Sequence, residues 1–126
     1  MSIKFLQQLT LGKFISEIKK AMAHGAKTIA LESTLGSVRN PGRFFSYRGN
    51  YYDLAFDAKY STTPLAIEDF LADLEEQVDS IHEGYKGGEF LMNEDVLVWL
   101  AEYGSGGGEK VVDVGVHETA AIIYTI

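Results

Sequence analysis

The segment from residue 39 to residue 60 holds the side chains best suited to bind an anionic, flat-ringed ligand. All three arginines of the protein lie in its first ten residues, at Arg39, Arg43 and Arg48. Arginine binds phosphate through the N–H donors of its planar guanidinium group, and aromatic rings stack on flat ligands. Six aromatic residues alternate with the arginines or follow them: Phe44, Phe45, Tyr47, Tyr51, Tyr52 and Phe56. This composition predicts a nucleotide-type site. The alternative is an aromatic strand whose arginines only cover the surface.

A second segment, residues 84–90 (GYKGGEF), has the composition of a phosphate-binding turn. Gly87 and Gly88 would let backbone amides approach a ligand closely, because no side chain intervenes. Tyr85 supplies a ring beside them and Lys86 supplies a cation. The same glycines would equally suit a plain turn from a helix into a strand. We expect both segments to contribute to one site if they face each other in space.

The sequence contains no familiar catalytic or metal-binding pattern. There is no cysteine, which excludes disulfides, thiolate metal ligands and cysteine nucleophiles. His24, His82 and His117 do not fall at zinc-binding spacings, and there is no G-x-S-x-G nucleophile turn. The glycine-rich residues 104–108 lack the lysine and hydroxyl residue of a Walker motif, so loop closure is the better interpretation. We expect a protein that is not an enzyme and carries no metal and no cofactor.

Length and charge limit the possible partners. The 126 residues are the size of one domain, and we assign residues 1–126 to a single core. A net charge of -7 repels the phosphates of duplex DNA or RNA, whereas clustered arginines still attract a small anion within ~8–10 Å. No apolar run approaches the ~20 residues that cross a bilayer, and the first residues do not resemble a secretory signal. We expect a cytoplasmic protein with no membrane partner.

Hydrophobic periodicity predicts two amphipathic helices, at about residues 10–24 and 64–81. Thr10 is the predicted N-cap of the first helix, whose apolar stripe is Leu11, Phe14, Ile15, Ile18 and Met22. Thr63 is the predicted N-cap of the second, with Pro64 at its first position. Its apolar stripe is predicted to be Ile67, Phe70, Leu71, Leu74, Val78 and Ile81. Its acidic residues are predicted to face solvent: Glu68, Asp69, Asp73, Glu75, Glu76 and Asp79.

The rest of the chain is typical of strands and turns. Lys27–Leu31 is a short apolar run, and residues 33–43 have the composition of a loop. Gly49-Asn50 suits a tight turn or a bulge. Four further strands are predicted at Glu89–Met92, Val96–Tyr103, Lys110–His117 and Ala120–Ile126, and Asn93-Glu94-Asp95 suits a turn between the first two. This order of elements predicts an α+β fold with a mostly antiparallel sheet.

Three motifs and the helix between them resemble a class of small phage proteins: SYRGNYYDLAF (46–56), GYKGGEFLMNED (84–95) and VLVWLAEYG (96–104). Within that class they most resemble the Thoeris anti-defence family. The resemblance implies a non-enzymatic sponge that sequesters cyclic ADP-ribose-type immune signalling nucleotides, with cyclic oligonucleotides as further ligands. It implies binding sites between subunits of a homo-oligomer, in the cytoplasm of an infected bacterial host. It also implies arginines on the phosphates and an aromatic ring against the adenine.

Carried onto this sequence, the resemblance places Arg48, Tyr85 and Phe90 at the ligand. Glu109 and Lys110 stand where a later arginine contact would be expected, and no arginine follows Arg48. With the residues inferred from composition, the predicted ligand-binding set is Arg39, Arg43, Tyr47, Arg48, Tyr85, Lys86, Gly87, Gly88 and Phe90.

Two other functions fit the sequence. A small enzyme acting on NAD or ADP-ribose, similar to an ADP-ribosyltransferase, would use an arginine such as Arg48, the run Ser61-Thr62-Thr63 and a later glutamate such as Glu89. That run is better explained as the start of the second helix. An inhibitor that mimics an acidic protein would instead use the helix face from Glu68 to Asp79, and salt would slow its association.

Overall fold

The fold is α+β, as the sequence predicts. The structure is a computed structural model that describes residues 7–32, 38–47, 52–61, 63–83, 88–101 and 108–126. The described residues form two helices and nine strands, in the order α1 (Leu11–Ala23), β1 (Thr28–Leu31), β2 (Val38–Ser46), β3 (Leu54–Ser61), β4 (Leu65–Ala66), α2 (Ile67–Glu76), β5 (Ser80–Glu83), β6 (Glu89–Met92), β7 (Val98–Ala101), β8 (Gly108–His117) and β9 (Ala120–Thr125). Neither helix is long and apolar enough to span a membrane.

Seven strands form one strongly curved, mostly antiparallel sheet in the order β2-β3-β7-β8-β9-β1-β4. Among its described pairings, β1–β9 and β3–β7 are parallel. The sheet also closes on itself, because Leu31 of β1 pairs with Arg39 of β2. The remaining strands, β5 and β6, form a separate antiparallel hairpin. The second segment singled out from the sequence, residues 84–90, begins after β5 and ends in β6.

Helix α1 supplies one side of the main core. Thr10 caps it, since its hydroxyl accepts a hydrogen bond from the Lys13 N–H at 3.3 Å. The helix ends before Gly25, whose φ of 96° is a conformation that favours glycine. The predicted stripe is buried except for Met22, which is partly buried, and Phe14 lies at its centre. The Phe14 ring centroid is 6.1 Å from that of Phe56 in β3 and 5.9 Å from that of Phe70 in α2. These contacts tie both helices to the sheet.

The first half of β3 is buried on both faces, and the aromatic end of β2 pairs with it. Phe56 points to the helices and the main core. Ala55 belongs instead to a second, smaller cluster on the other face, together with Tyr47 and Ala101. Successive side chains of a strand alternate between faces, so the run of aromatics in β2 fills both clusters.

The second helix is shorter than predicted at both ends. Leu65 and Ala66 pair with β1 as a short strand, and Ala66, not Thr63, is the N-cap. At the other end Asp79 adopts a φ of 62°, and Ile81 lies in β5. Tertiary strand pairing therefore overrides local helix propensity on both sides. The acidic residues predicted to face solvent are all exposed.

Two strand predictions also need correction. Residues 38–43 belong to β2 although their composition suggested a loop, and a register shift between Pro41 and Phe44 absorbs the irregular part. Strands β6 and β7 are not partners across the turn at residues 93–95: β6 pairs with β5, and β7 pairs with β3 and β8. The predicted turn at Gly49-Asn50 lies outside the described residues.

The register shift in β2 depends on Gly42. The Asp57 carboxylate of β3 occupies the place that a Cβ at Gly42 would take. There it accepts a hydrogen bond from the Arg43 backbone N–H at 2.7 Å. A side chain at position 42 would displace this carboxylate from its donor.

We predict that Gly42→Ala lowers the free energy of unfolding by about 1 kcal/mol, the net contribution of one hydrogen bond. The loss in free energy of unfolding caused by Gly42→Ala should be smaller in an Asp57→Ala background, because no carboxylate then has to move. Urea unfolding of both single variants and the double variant measures this coupling. An equal cost in both backgrounds would show that Asp57 is not the cause.

Candidate functional site

The two sequence segments singled out for ligand binding meet in the structure. Tyr52 lies on the connection between β2 and β3, and Phe90 lies on β6 of the hairpin. Their ring centroids are 5.2 Å apart with an interplanar angle of 65°, an edge-to-face contact. Strand β5 also contacts β2 directly. The arginine-rich segment and the hairpin are therefore neighbours, although a helix separates them in sequence.

Three rings form the surface at this junction, and we call Tyr52, His82 and Phe90 the aromatic surface. The His82 and Phe90 rings are cross-strand neighbours with centroids 6.0 Å apart. Tyr52 is 51% exposed, while His82 and Phe90 are half-buried. The three rings contact one another but leave part of their area exposed to solvent. An exposed ring surface of this kind can stack on a flat ligand.

His82 is held by a hydrogen bond to its neighbour on the same face. Its Nε2 lies 2.9 Å from the Ser80 Oγ, and that hydroxyl donates to the Gln77 carbonyl at 2.7 Å. Because the hydroxyl has one proton, Nε2 must be the donor to Ser80, and Nδ1 carries the lone pair of the neutral ring. Burial lowers the pKa of His82 by desolvating its charged form. Ser80 and His82 are thus arranged as a structural pair and not as a nucleophile with its base.

The two described arginines of the predicted set behave differently. Arg43 has a side chain that is 90% exposed, and its guanidinium lies 3.6 Å from the Asp57 carboxylate. A solvent-exposed ion pair of this kind contributes ~0–1 kcal/mol, so the guanidinium stays accessible to a stronger anionic partner. Arg39 instead stabilises the closure of the sheet between β1 and β2, because its Nη2 donates a hydrogen bond to the Glu32 carbonyl at 3.0 Å. Its Nε is buried and makes no hydrogen bond.

Tyr47 is an interior residue and not part of an open surface. Its ring stacks on the Trp99 ring of β7, with centroids 4.2 Å apart and an interplanar angle of 4°. It is 6% exposed, and it packs so closely over Gly108 that a Cβ there would lie 3.0 Å from it. Its role in this arrangement is packing between β2, β7 and β8.

Four residues of the predicted set, Arg48, Tyr85, Lys86 and Gly87, lie outside the described residues. Gly88 is described and exposed, and it directly precedes β6 two residues from Phe90. Phe90 is the member of the predicted set that the structure places on the aromatic surface. Tyr52 and His82 complete that surface, and neither was among the predicted ligand residues.

Asp53, which was not among the predicted site residues, fixes the connection that carries Tyr52. Its carboxylate accepts two hydrogen bonds from around β7: one from the Leu97 backbone N–H at 3.0 Å and one from the Trp99 indole N–H at 3.1 Å. Its carbonyl accepts a third, from the Tyr47 N–H at 2.7 Å. A lone aspartate and a lone tryptophan 46 residues apart form no sequence pattern, so nothing in the sequence marks this pair.

A shallow groove of about 500 Å³ runs along α1, far in sequence from the predicted site. Ile15, Ser16, Lys19 and Lys20 contribute to its lining. Both lysines have acidic partners at 3.4 Å, Glu75 for Lys19 and Glu17 for Lys20. The groove is therefore a weaker anion site than its lysines suggest. Among the described residues, no group of three or more His, Asp or Glu side chains is placed to hold a metal ion.

Comparison with known proteins gives no relative: no protein-family model matches the chain, and neither the curated proteins nor the solved structures include a significant match. The function must therefore be inferred from the residues and their geometry.

We predict that Asp53→Ala lowers the free energy of unfolding by about 1–3 kcal/mol, because two donors lose their acceptor. Trp99 is the only tryptophan, so its fluorescence reports both the unfolding and the loss of the bond to its indole N–H. Asp73→Ala is the matched control, since Asp73 is an exposed residue of α2. Equal stability of the two variants would contradict the assigned role of Asp53.

His82 should make stability depend on pH. Because its pKa is lowered in the folded protein, the unfolded chain binds a proton first as the pH falls below ~6.5, the ordinary pKa of histidine. The free energy of unfolding should therefore decrease from there until the pH passes below the lowered pKa. His82→Gln should remove this part of the decrease, whereas exposed His117→Gln should keep it. Urea unfolding at about pH 7.5 and about pH 5.5 compares the three proteins; parallel behaviour of all three would refute the assignment.

Proposed function

We propose that this protein binds a small ligand that combines a flat ring with an anionic group, and that it holds this ligand without converting it. The observation that supports the proposal is the Tyr52–Phe90 contact. It joins the segment whose sequence contains every arginine to a strand that follows a lysine and three glycines in the sequence. Rings from both segments are thereby brought together, and the sequences beside them contain cations suited to the same class of ligand.

The contributions expected at this junction are sufficient for binding. A ring stacked on the aromatic surface contributes about 0.5–1.5 kcal/mol beyond the area it buries. A hydrogen bond from an arginine to an anion contributes about 1.5–3 kcal/mol. The net charge of -7 disfavours a polyanion at long range but leaves a small ligand free to use these local contacts. A nucleotide is the common biological ligand with both parts.

The resemblance to the Thoeris anti-defence family supports a narrower proposal. The ligand is then a cyclic ADP-ribose-type signalling nucleotide, its adenine lies on the aromatic surface, and arginines contact its phosphates. The protein acts as a sponge in phage counter-defence, as a homo-oligomer in the cytoplasm of the infected bacterium. Ser80 and His82 favour binding over turnover, because the serine hydroxyl already donates its proton to a backbone carbonyl.

Ligand panels with variants of the aromatic surface test the proposal. We expect one or more of ADP-ribose, NAD, cyclic ADP-ribose isomers and cyclic oligonucleotides to raise the melting temperature. Tyr52→Leu should lower ligand affinity by up to ~10-fold, equivalent to about 1.4 kcal/mol, because it removes the ring but keeps apolar volume. Tyr60→Leu is the matched control: this tyrosine is 72% exposed and lies six residues further along β3 than Leu54, about 20 Å away.

The outcomes separate the competing functions. Equal losses in Tyr52→Leu and Tyr60→Leu, or no shift with any ligand, would contradict a ring-binding site at this junction. The bound ligand should be released by heat with its mass unchanged. A chemically altered ligand would instead support an enzyme acting on NAD or ADP-ribose.

A further inference from the structure

The outer face of the β5–β6 hairpin exposes two large apolar side chains that face each other. Ile81 and Leu91 are directly paired across the strands, and they are 67% and 53% exposed. The opposite face of the same hairpin packs on the protein, since Met92 is fully buried there and Phe90 is half-buried. Alternation along the strands therefore fixes Ile81 and Leu91 on the outside, and no slip of register can bury them without exposing Met92.

The hairpin also has an unpaired edge. Strand β6 has β5 on one side and no described strand on the other. Strand β5, by contrast, contacts β2. An unpaired strand beside an apolar patch is the feature to which an extended peptide adds as a further strand. The backbone of β6 would supply hydrogen bonds, and the patch at Ile81 and Leu91 would receive alternate side chains of the added strand.

The charged residues of β5, of β6 and of the position immediately before β5 are all acidic. Asp79, immediately before β5, and Glu89, two residues before Leu91, are both exposed. Between Lys59 and Lys86 the chain has no lysine and no arginine but seven acidic residues: Glu68, Asp69, Asp73, Glu75, Glu76, Asp79 and Glu83. Among the described residues, one salt bridge involves an acidic residue of α2, and it joins Glu75 to Lys19. The field over the hairpin and the end of α2 is consequently negative.

We propose that the outer face of the β5–β6 hairpin docks an extended, basic segment of another protein, in which apolar residues alternate with lysine or arginine. The apolar residues of that segment cover Ile81 and Leu91, and its cations lie over Asp79 and Glu89. A second copy of this chain is a poor occupant, because a twofold pairing of two such faces would bring together like charges on chains of net charge -7. The surface is distinct from the aromatic surface, which lies on the other face of the hairpin.

Selection from a random displayed library of 12-residue peptides tests the proposal with the full chain as bait. The peptides enriched should be basic, with apolar residues at every second position. Their binding should weaken as salt rises, because exposed charges are screened. The Ile81→Ser/Leu91→Ser double variant should bind them about tenfold more weakly or worse. Glu89→Lys should weaken binding and flatten its salt dependence, while Val116→Ser, a change at an exposed apolar residue of β8, should bind as the parent does.

Several results would overturn the proposal. Peptides that are acidic or uncharged would contradict the charge argument, and an equal effect of Val116→Ser would show that the loss is not specific to the hairpin. A library with no enriched peptide would also count against it. Sedimentation that shows self-association, lost in the Ile81→Ser/Leu91→Ser variant, would assign this face to a second copy instead. Because both serine substitutions are at exposed positions, thermal unfolding should remain close to that of the parent and exclude misfolding as the cause.

Discussion

Two hydrogen bonds to the Asp53 carboxylate hold the region on which the candidate site is built. They join the connection after β2 to the Leu97 backbone and to the Trp99 indole N–H. Trp99 in turn stacks on Tyr47, whose backbone N–H donates to the Asp53 carbonyl. Three kinds of contact therefore hold the connection after β2 in place: the hydrogen bonds of the Asp53 carboxylate, the Tyr47–Trp99 ring stack and the main-chain hydrogen bond from Tyr47 to Asp53. Tyr52 is next to Asp53, so its ring is presented at a defined place.

The closed sheet gives this connection its rigid support. The pairing of Leu31 with Arg39 joins β1 to β2, and the parallel pairing of β3 with β7 brings distant parts of the chain side by side. Phe14 and Phe56 then pack α1 onto the inner surface. Apolar burial of this kind contributes about 1.5–3 kcal/mol for each large side chain, so the core can support a surface that keeps rings and apolar residues exposed. Two of the exposed apolar residues, Ile81 and Leu91, lie on the small hairpin, which has no described pairing with the main sheet.

The sequence predicted local structure well where local physics decides it. The stripe around Phe14, the Thr10 cap and the stop at Gly25 define α1 without tertiary help, and the alternation of β-branched residues marks β8 and β9. The prediction of α2 failed at its ends because Leu65 and Ile81 take part in strand pairing, which periodicity within the helix cannot show. The pairing of β6 with β5 was missed for the same reason, since a turn after Met92 looked like the simpler connection.

The candidate site was only partly accessible to sequence reasoning. The clustering of arginines and rings drew attention to the segment that contains Tyr52, and Phe90 of the second segment lies beside that ring. Composition could not show that Tyr47 is buried against Trp99 or that Arg39 braces the sheet, because both depend on which strand lies alongside. Asp53 and His82 gave no signal either: each acts through one partner placed by the fold, and a single polar residue has no period or motif.

The most direct test of a ring-binding site is an NMR titration of the protein with a cyclic ADP-ribose isomer, following the aromatic side-chain and backbone amide resonances. We predict that the ring resonances of Tyr52, His82 and Phe90 shift together and saturate with the ligand, while those of the Tyr60 ring and of the residues along the α1 groove do not shift. Shifts confined to Lys19, Lys20 and their neighbours, or an unchanged spectrum at high ligand concentration, would contradict it.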